Sequence, residues 1–203
     1  MQINEIIKCE DFPCFDINKN GYLIPNIDID FEKIKILMIS EVPPENSKDY
    51  FYADNKPFYI ETTLQAFKDA GEDVSSIQDI IDLGIYITTA VKCAKIGYSV
   101  PTSVIKNCSE ILEQELKLFP NVRAYILLGD VAIKSFNYIT KRIIGEKVIP
   151  TGSTYKIRHN KFYYKDARVY PSYIITGKNF LIEKSKRKMI AEDIKSALKF
   201  IRS

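Results

Sequence analysis

Four short apolar runs, each hydrophobic on both faces and bounded by turn residues, narrow what this chain can become. They are IKILMIS (34–40), IYITTAV (85–91), AYILLG (124–129) and ARVYPS (167–172). A strand with one wet face alternates apolar and polar residues. These do not, so both of their faces need cover, as in a parallel sheet sandwiched between helices. The segments between them carry the helical repeat that supplies it. PFYIETTLQAFKDAG starts after Pro57 and stops at Gly71. TSVIKNCSEILEQELKLF sets Ile105, Cys108, Leu112, Leu116 and Phe119 on one side, and DVAIKSFNYITKR opens on Asp130 as an N-cap. The closing FLIEKSKRKMIAEDIKSALKFI is amphipathic through Met189, Ile190, Ile194, Leu198 and Ile201. Strands alternating with helices predict an α/β fold, a three-layer α/β/α sandwich around a central four-stranded parallel sheet. Residues 145–166, with Gly145, Pro150 and Gly152, read as an irregular insertion or hairpin, and residues 1–203 as one domain.

A chain of 203 residues can bury a continuous core without disulfides. Its net charge of +3 permits a nucleic-acid partner without arguing for one. The basic run KSKRK (184–188) reads first as a solvated helix face. No apolar run reaches the ~18 residues of a membrane helix. The start MQINEIIKCEDF lacks the basic-then-apolar order of a signal peptide. A cytoplasmic protein without a membrane partner is expected, its four cysteines free thiols, metal ligands or nucleophiles.

Several chemistries are disfavoured. No Gly-x-Gly-x-x-Gly follows a strand and no phosphate loop is present. The lone His159 lies in the irregular segment, away from any strand end, which argues against a Ser-His-Asp triad. Open parallel sheets bind ligands beyond the carboxyl ends of their strands. Those ends are SEVPP (40–44), TTAVKC (88–93), LGD (128–130) and YPS (170–172).

Taken in order, SEVPP, Pro57-Phe58, TTAVKC, Cys108, Leu128-Gly129 and YPS resemble the motifs of the uracil-DNA glycosylase superfamily. The nearest likeness is to its iron–sulfur branch, often called family 4. The resemblance implies a monofunctional, monomeric DNA glycosylase. It would remove uracil or another deaminated or damaged base, from single- or double-stranded DNA, by hydrolysis of the N-glycosidic bond. Such an enzyme extrudes a nucleotide, stabilises a sugar cation and accepts an anionic base.

On this resemblance Glu41 is the acidic catalytic residue, Phe58 the ring that stacks on the flipped base, and Thr89 the reader of the base edge. Tyr170 is the second catalytic position, and Pro43, Pro44 and Ser172 are DNA-backbone contacts. Two positions depart from the pattern: Thr89 replaces an asparagine and Tyr170 a histidine. A hydroxyl lacks the side-by-side donor and acceptor of an amide, and a phenol is not cationic at neutral pH. Cys9, Cys14, Cys93 and Cys108 match the ligands of a [4Fe–4S] cluster, with zinc as the alternative occupant, although the first pair is spaced more widely than in the family. Structural readings stay open beside these: Glu41 capping a turn, Phe58 and Tyr170 in the core, the prolines setting a turn, the thiols simply buried. The alternative function is a non-catalytic member that binds nucleic acid, or a free nucleobase or nucleotide, in the same slot.

Overall fold

The computed structural model describes residues 2–54 and 57–203. The predicted runs form β1 (Ile36–Ser40), β2 (Ile85–Thr89), β3 (Ala124–Leu128) and, after a short β4 (Phe162–Tyr164), β5 (Ala167–Ser172). Every residue of β1, β2, β3 and β5 is buried, as runs apolar on both faces require. The sheet order is β2-β1-β3-β5-β4. β1 pairs in parallel with β2 and β3, and β3 with β5, giving the four parallel strands expected. The fifth strand, β4, pairs antiparallel with β5 at the sheet edge. It comes from the segment read as an insertion or hairpin. Three residues are too few to announce a two-residue period, and the connection turns tightly through Lys165 at φ 54°.

The helices are α1 (Ile3–Ile6), α2 (Phe58–Asp69), α3 (Ile77–Asp82), α4 (Thr102–Leu116), α5 (Asp130–Ile144), α6 (Thr154–Ile157) and α7 (Lys184–Arg202). The sheet alternates its side chains between two cores. Met38, Ile87 and Ile126 pack on one side with Phe67 of α2 and Ile190 and Ile194 of α7. Leu37, Ile39, Tyr86 and Leu127 pack on the other with Leu112 of α4 and Phe136 of α5. These are the layers of an α/β/α sandwich. α3 lacks a long apolar repeat; it starts where Ser76 and Asp79 form a reciprocal capping box.

Two local details prepare the site. β2 is an edge strand, and Tyr52 shields it: its hydroxyl donates to Ile87 O at 2.7 Å and accepts from Ile87 N at 3.1 Å. α5 is capped by Gly129 at φ 101°, with Asp130 in its first turn. A Cβ at position 129 would lie 2.5 Å from Glu41 Oε1 and 2.6 Å from Ile174 Cγ1. The glycine is therefore required both by its backbone angle and by the close approach of Glu41. Among the described residues no helix is long and apolar enough to cross a membrane.

Candidate functional site

Glu41 leaves the end of β1 and points at the start of α5, where Val131 N donates to its Oε1 at 3.1 Å. A helix N-terminus favours an anion. Half-burial nevertheless dominates and pushes the carboxyl above its ordinary range, with the Val131 amide and Lys95 opposing and Asp130 adding to the rise. Tyr59, in the first turn of α2, is near enough to feel Glu41, and its hydroxyl meets Thr176 in the loop after β5. Burial raises the Tyr59 pKa, so it stays a neutral donor. Phe58, the first residue of α2, is half-buried at the same end of the sheet. Pro43 and Pro44 are buried, which sets them into the turn after β1.

Thr89, expected to read the base edge, has Thr88 before it on β2, and consecutive strand residues point to opposite faces. Thr88 turns towards α4 and donates to Glu115 Oε1 at 2.8 Å. Thr89 turns towards α2 and is fully buried. Its hydroxyl lies beside that of Tyr50, and neither oxygen has a hydrogen-bond partner among the described residues. Ser40, the ladder partner of Thr89, likewise has an unpartnered buried hydroxyl. In this arrangement Thr89 is closed to a flipped base.

Beneath this end lies an ion pair that the sequence reading missed. Lys92 and Glu115 are fully buried, with Nζ to Oε2 at 2.5 Å. The ammonium also donates to Thr88 Oγ1 at 2.8 Å and to Thr89 O at 2.6 Å. Glu115 takes a further bond from the Tyr86 hydroxyl at 2.5 Å. A signal was available, since Glu115 interrupts the apolar side of α4 between Leu112 and Leu116. A buried carboxylate needs a partner cation.

The hydroxyls of Tyr170 and Ser172 are tied to α7 rather than to Glu41. Tyr170 packs in the core on the α7 side, its hydroxyl donating to Ser196 O at 3.3 Å and its ring 5.1 Å from the Arg168 guanidinium. The fully buried Ser172 donates to Asp193 Oδ2 at 2.6 Å, and Asp193 pairs with the buried Arg158 at 2.8 Å. Arg158 thereby ties the segment before β4 to α7, and it also donates to Met189 O at 2.7 Å. Burial raises the Asp193 pKa, against the pull of Ser172 and Arg158. His159, beside Arg158 in the chain, is exposed.

The four cysteines line one cavity of about 650 Å³ between the N-terminal segment, the turn after β2, and α4. Phe12, between Cys9 and Cys14, adopts the left-handed φ of 42°, and its ring packs edge-on against Tyr22 at 5.0 Å. The Tyr22 hydroxyl accepts from Cys9 N at 2.9 Å. Two sulfurs receive donors: Lys92 N reaches Cys108 Sγ at 3.2 Å and Asn107 Nδ2 reaches Cys14 Sγ at 3.8 Å. Burial pushes Cys93 up to about 12 and Cys108 to about 11, and the neighbouring thiols add to both. Negative sulfur at this place therefore calls for a cation to offset it. Among the described residues no group of three or more His, Cys, Asp or Glu side chains is set to hold a metal ion. The thiols share a cavity without closing on a single point. Four thiolates are a donor set for a [4Fe–4S] cluster and for a zinc ion alike.

An open, mainly parallel sheet with an acidic side chain held at one strand end agrees with the family comparison. The sequence profile described as Uracil DNA glycosylase superfamily matches residues 29–192, and the chain belongs to that superfamily. Among individual proteins it is similar to the Type-5 uracil-DNA glycosylase of Thermus thermophilus, with 36% identity over 52 residues. That match spans 26% of this chain and 24% of the relative.

Proposed function

We propose that the protein is a DNA glycosylase that hydrolyses the N-glycosidic bond of uracil or another deaminated or damaged base. The observation that carries this reading is the Glu41 carboxylate, held by the Val131 amide at the carboxyl end of the sheet in a chain of this superfamily. In the reaction the C1′–N bond breaks, the sugar passes through a cation, and water adds at C1′ while the base leaves with a proton. Glu41 orients the water, takes its proton and opposes the positive charge of the sugar. Phe58 supplies the platform for the base and Thr89 a hydroxyl for its edge, once its closed position has opened. Tyr59, near both Thr176 and Glu41, is the donor to the leaving base, a role that the placement of Tyr170 under α7 does not favour. Cys9, Cys14, Cys93 and Cys108 would hold a [4Fe–4S] cluster, which when bound supplies a structural cross-link between the N-terminal segment, the turn after β2, and α4.

Wild-type protein should release abasic product from oligonucleotides carrying uracil, hypoxanthine or xanthine, and Glu41→Gln should be slower by about 10²–10⁴-fold. Product from none of them, single- or double-stranded, would overturn the proposal. It would favour a non-catalytic member that binds nucleic acid or a free base, a reading motivated by the closed position of Thr89. Anaerobic purification should give iron and sulfide in equal amounts. Zinc in their place would reassign the thiols, and a metal-free protein would return them to the core.

A further inference from the structure

Three large apolar side chains stand almost free near the carboxyl end of β2. Phe15 is 91% exposed, Ile96 62% and Tyr98 102%. They belong to two pieces of chain that run side by side, joined by an antiparallel bridge in which Asn18 N donates to Ala94 O at 2.9 Å. Between the pieces an open cavity of about 560 Å³ is lined by Phe15, Lys19, Glu45, Lys95 and Ile96. The Lys19 ammonium stands 5.8 Å from the Phe15 ring centroid. Lys95 donates to Tyr98 O at 3.4 Å, closing a turn through Gly97 at φ 72°. Lys95 also acts on Glu41, so the patch borders the candidate site.

We propose that this patch holds the unstacked bases of a single-stranded DNA segment, with Phe15 and Tyr98 as stacking platforms and Lys19 and Lys95 meeting its phosphates. The assignment rests on the glycosylase reading and adds to it the strand state of the DNA. Exposure of the ring faces decides between strand states. The two lysines of the patch, beside Glu45, can meet phosphates of either form. A duplex keeps its base faces stacked, so it offers nothing to two ring faces left in water. An unstacked base offers a π-face to each, at about tenfold in affinity per ring.

The test is the affinity of the whole protein for a fluorescent oligothymidylate and for its duplex with oligoadenylate. The single strand should bind about tenfold more tightly than the duplex, and Phe15→Ala and Tyr98→Ala should each weaken it about tenfold while sparing the duplex. Phe15→Tyr and Tyr98→Phe should keep wild-type affinity. Unchanged single-strand binding in both alanine variants, or an equal loss on both forms of DNA, overturns the proposal. So does concentration-dependent self-association that Phe15→Ala abolishes, which would give the patch to a second copy. Single-strand binding without excision of any lesion would instead sink the glycosylase reading alone.

Discussion

Lys92→Met keeps most of the side-chain stem and deletes its charge. In the wild type the ammonium makes three short bonds, to Thr88 Oγ1, Thr89 O and Glu115 Oε2, and both charged groups are fully buried. The variant strands the Glu115 carboxylate with the hydroxyls of Tyr86 and Thr88 and deprives the Thr89 carbonyl of its donor. Removing one member of a buried ion pair costs about 3–5 kcal/mol. That is a large share of the ~5–15 kcal/mol by which a domain is stable. Adding Glu115→Gln removes the stranded charge, while the amide oxygen still accepts from Tyr86 and Thr88. The double variant should therefore recover about 2 kcal/mol. Urea unfolding at neutral pH, followed by far-UV circular dichroism, reads both values. A loss of less than about 1 kcal/mol in Lys92→Met, or a double variant weaker than the single, would refute the view that paired charge holds the turn before Cys93.

Three further outcomes follow from the same reasoning. Thr89→Val removes an unpartnered buried hydroxyl at nearly constant shape, so it should raise stability by about 1 kcal/mol in a thermal melt and slow excision. Glu41 has a folded pKa raised by burial, so its ionisation costs stability as pH climbs above the ordinary carboxylate value of about 4.3. Glu41→Gln should accordingly melt higher than wild type at neutral pH, with the difference fading below that value; a gap that persists there would exclude burial of the charge as its cause. Arg158→Met leaves the buried Asp193 without its cation and should cost about 3–5 kcal/mol at neutral pH. Because burial also raises Asp193, this loss should shrink as acid protonates it, and chemical unfolding at two pH values would reveal a loss that does not.

The strand runs and the long helices were readable because each is set by a local period. Ile36–Ser40 and Ala124–Leu128 are buried on both faces, and the apolar residues picked out between 102 and 119 all lie in the core, Phe119 just past the end of α4. α3 and β4 were too short for a period to show, and one depends on a cap, the other on a tight turn. The superfamily was also legible, through the order of motifs at the strand ends.

The site was less legible, because its contacts join residues far apart in the chain. Lys92 meets Glu115 across 23 positions, and Arg158 meets Asp193 across 35. The amino-acid order alone already specified which segments become strands and helices, because that choice is made within a few neighbouring residues. Folding settled the rest: which threonine faces which layer, where Tyr170 and Ser172 find their partners, and which charges are buried together. Those depend on how a helix crosses the strands beneath it, and no local repeat records that crossing.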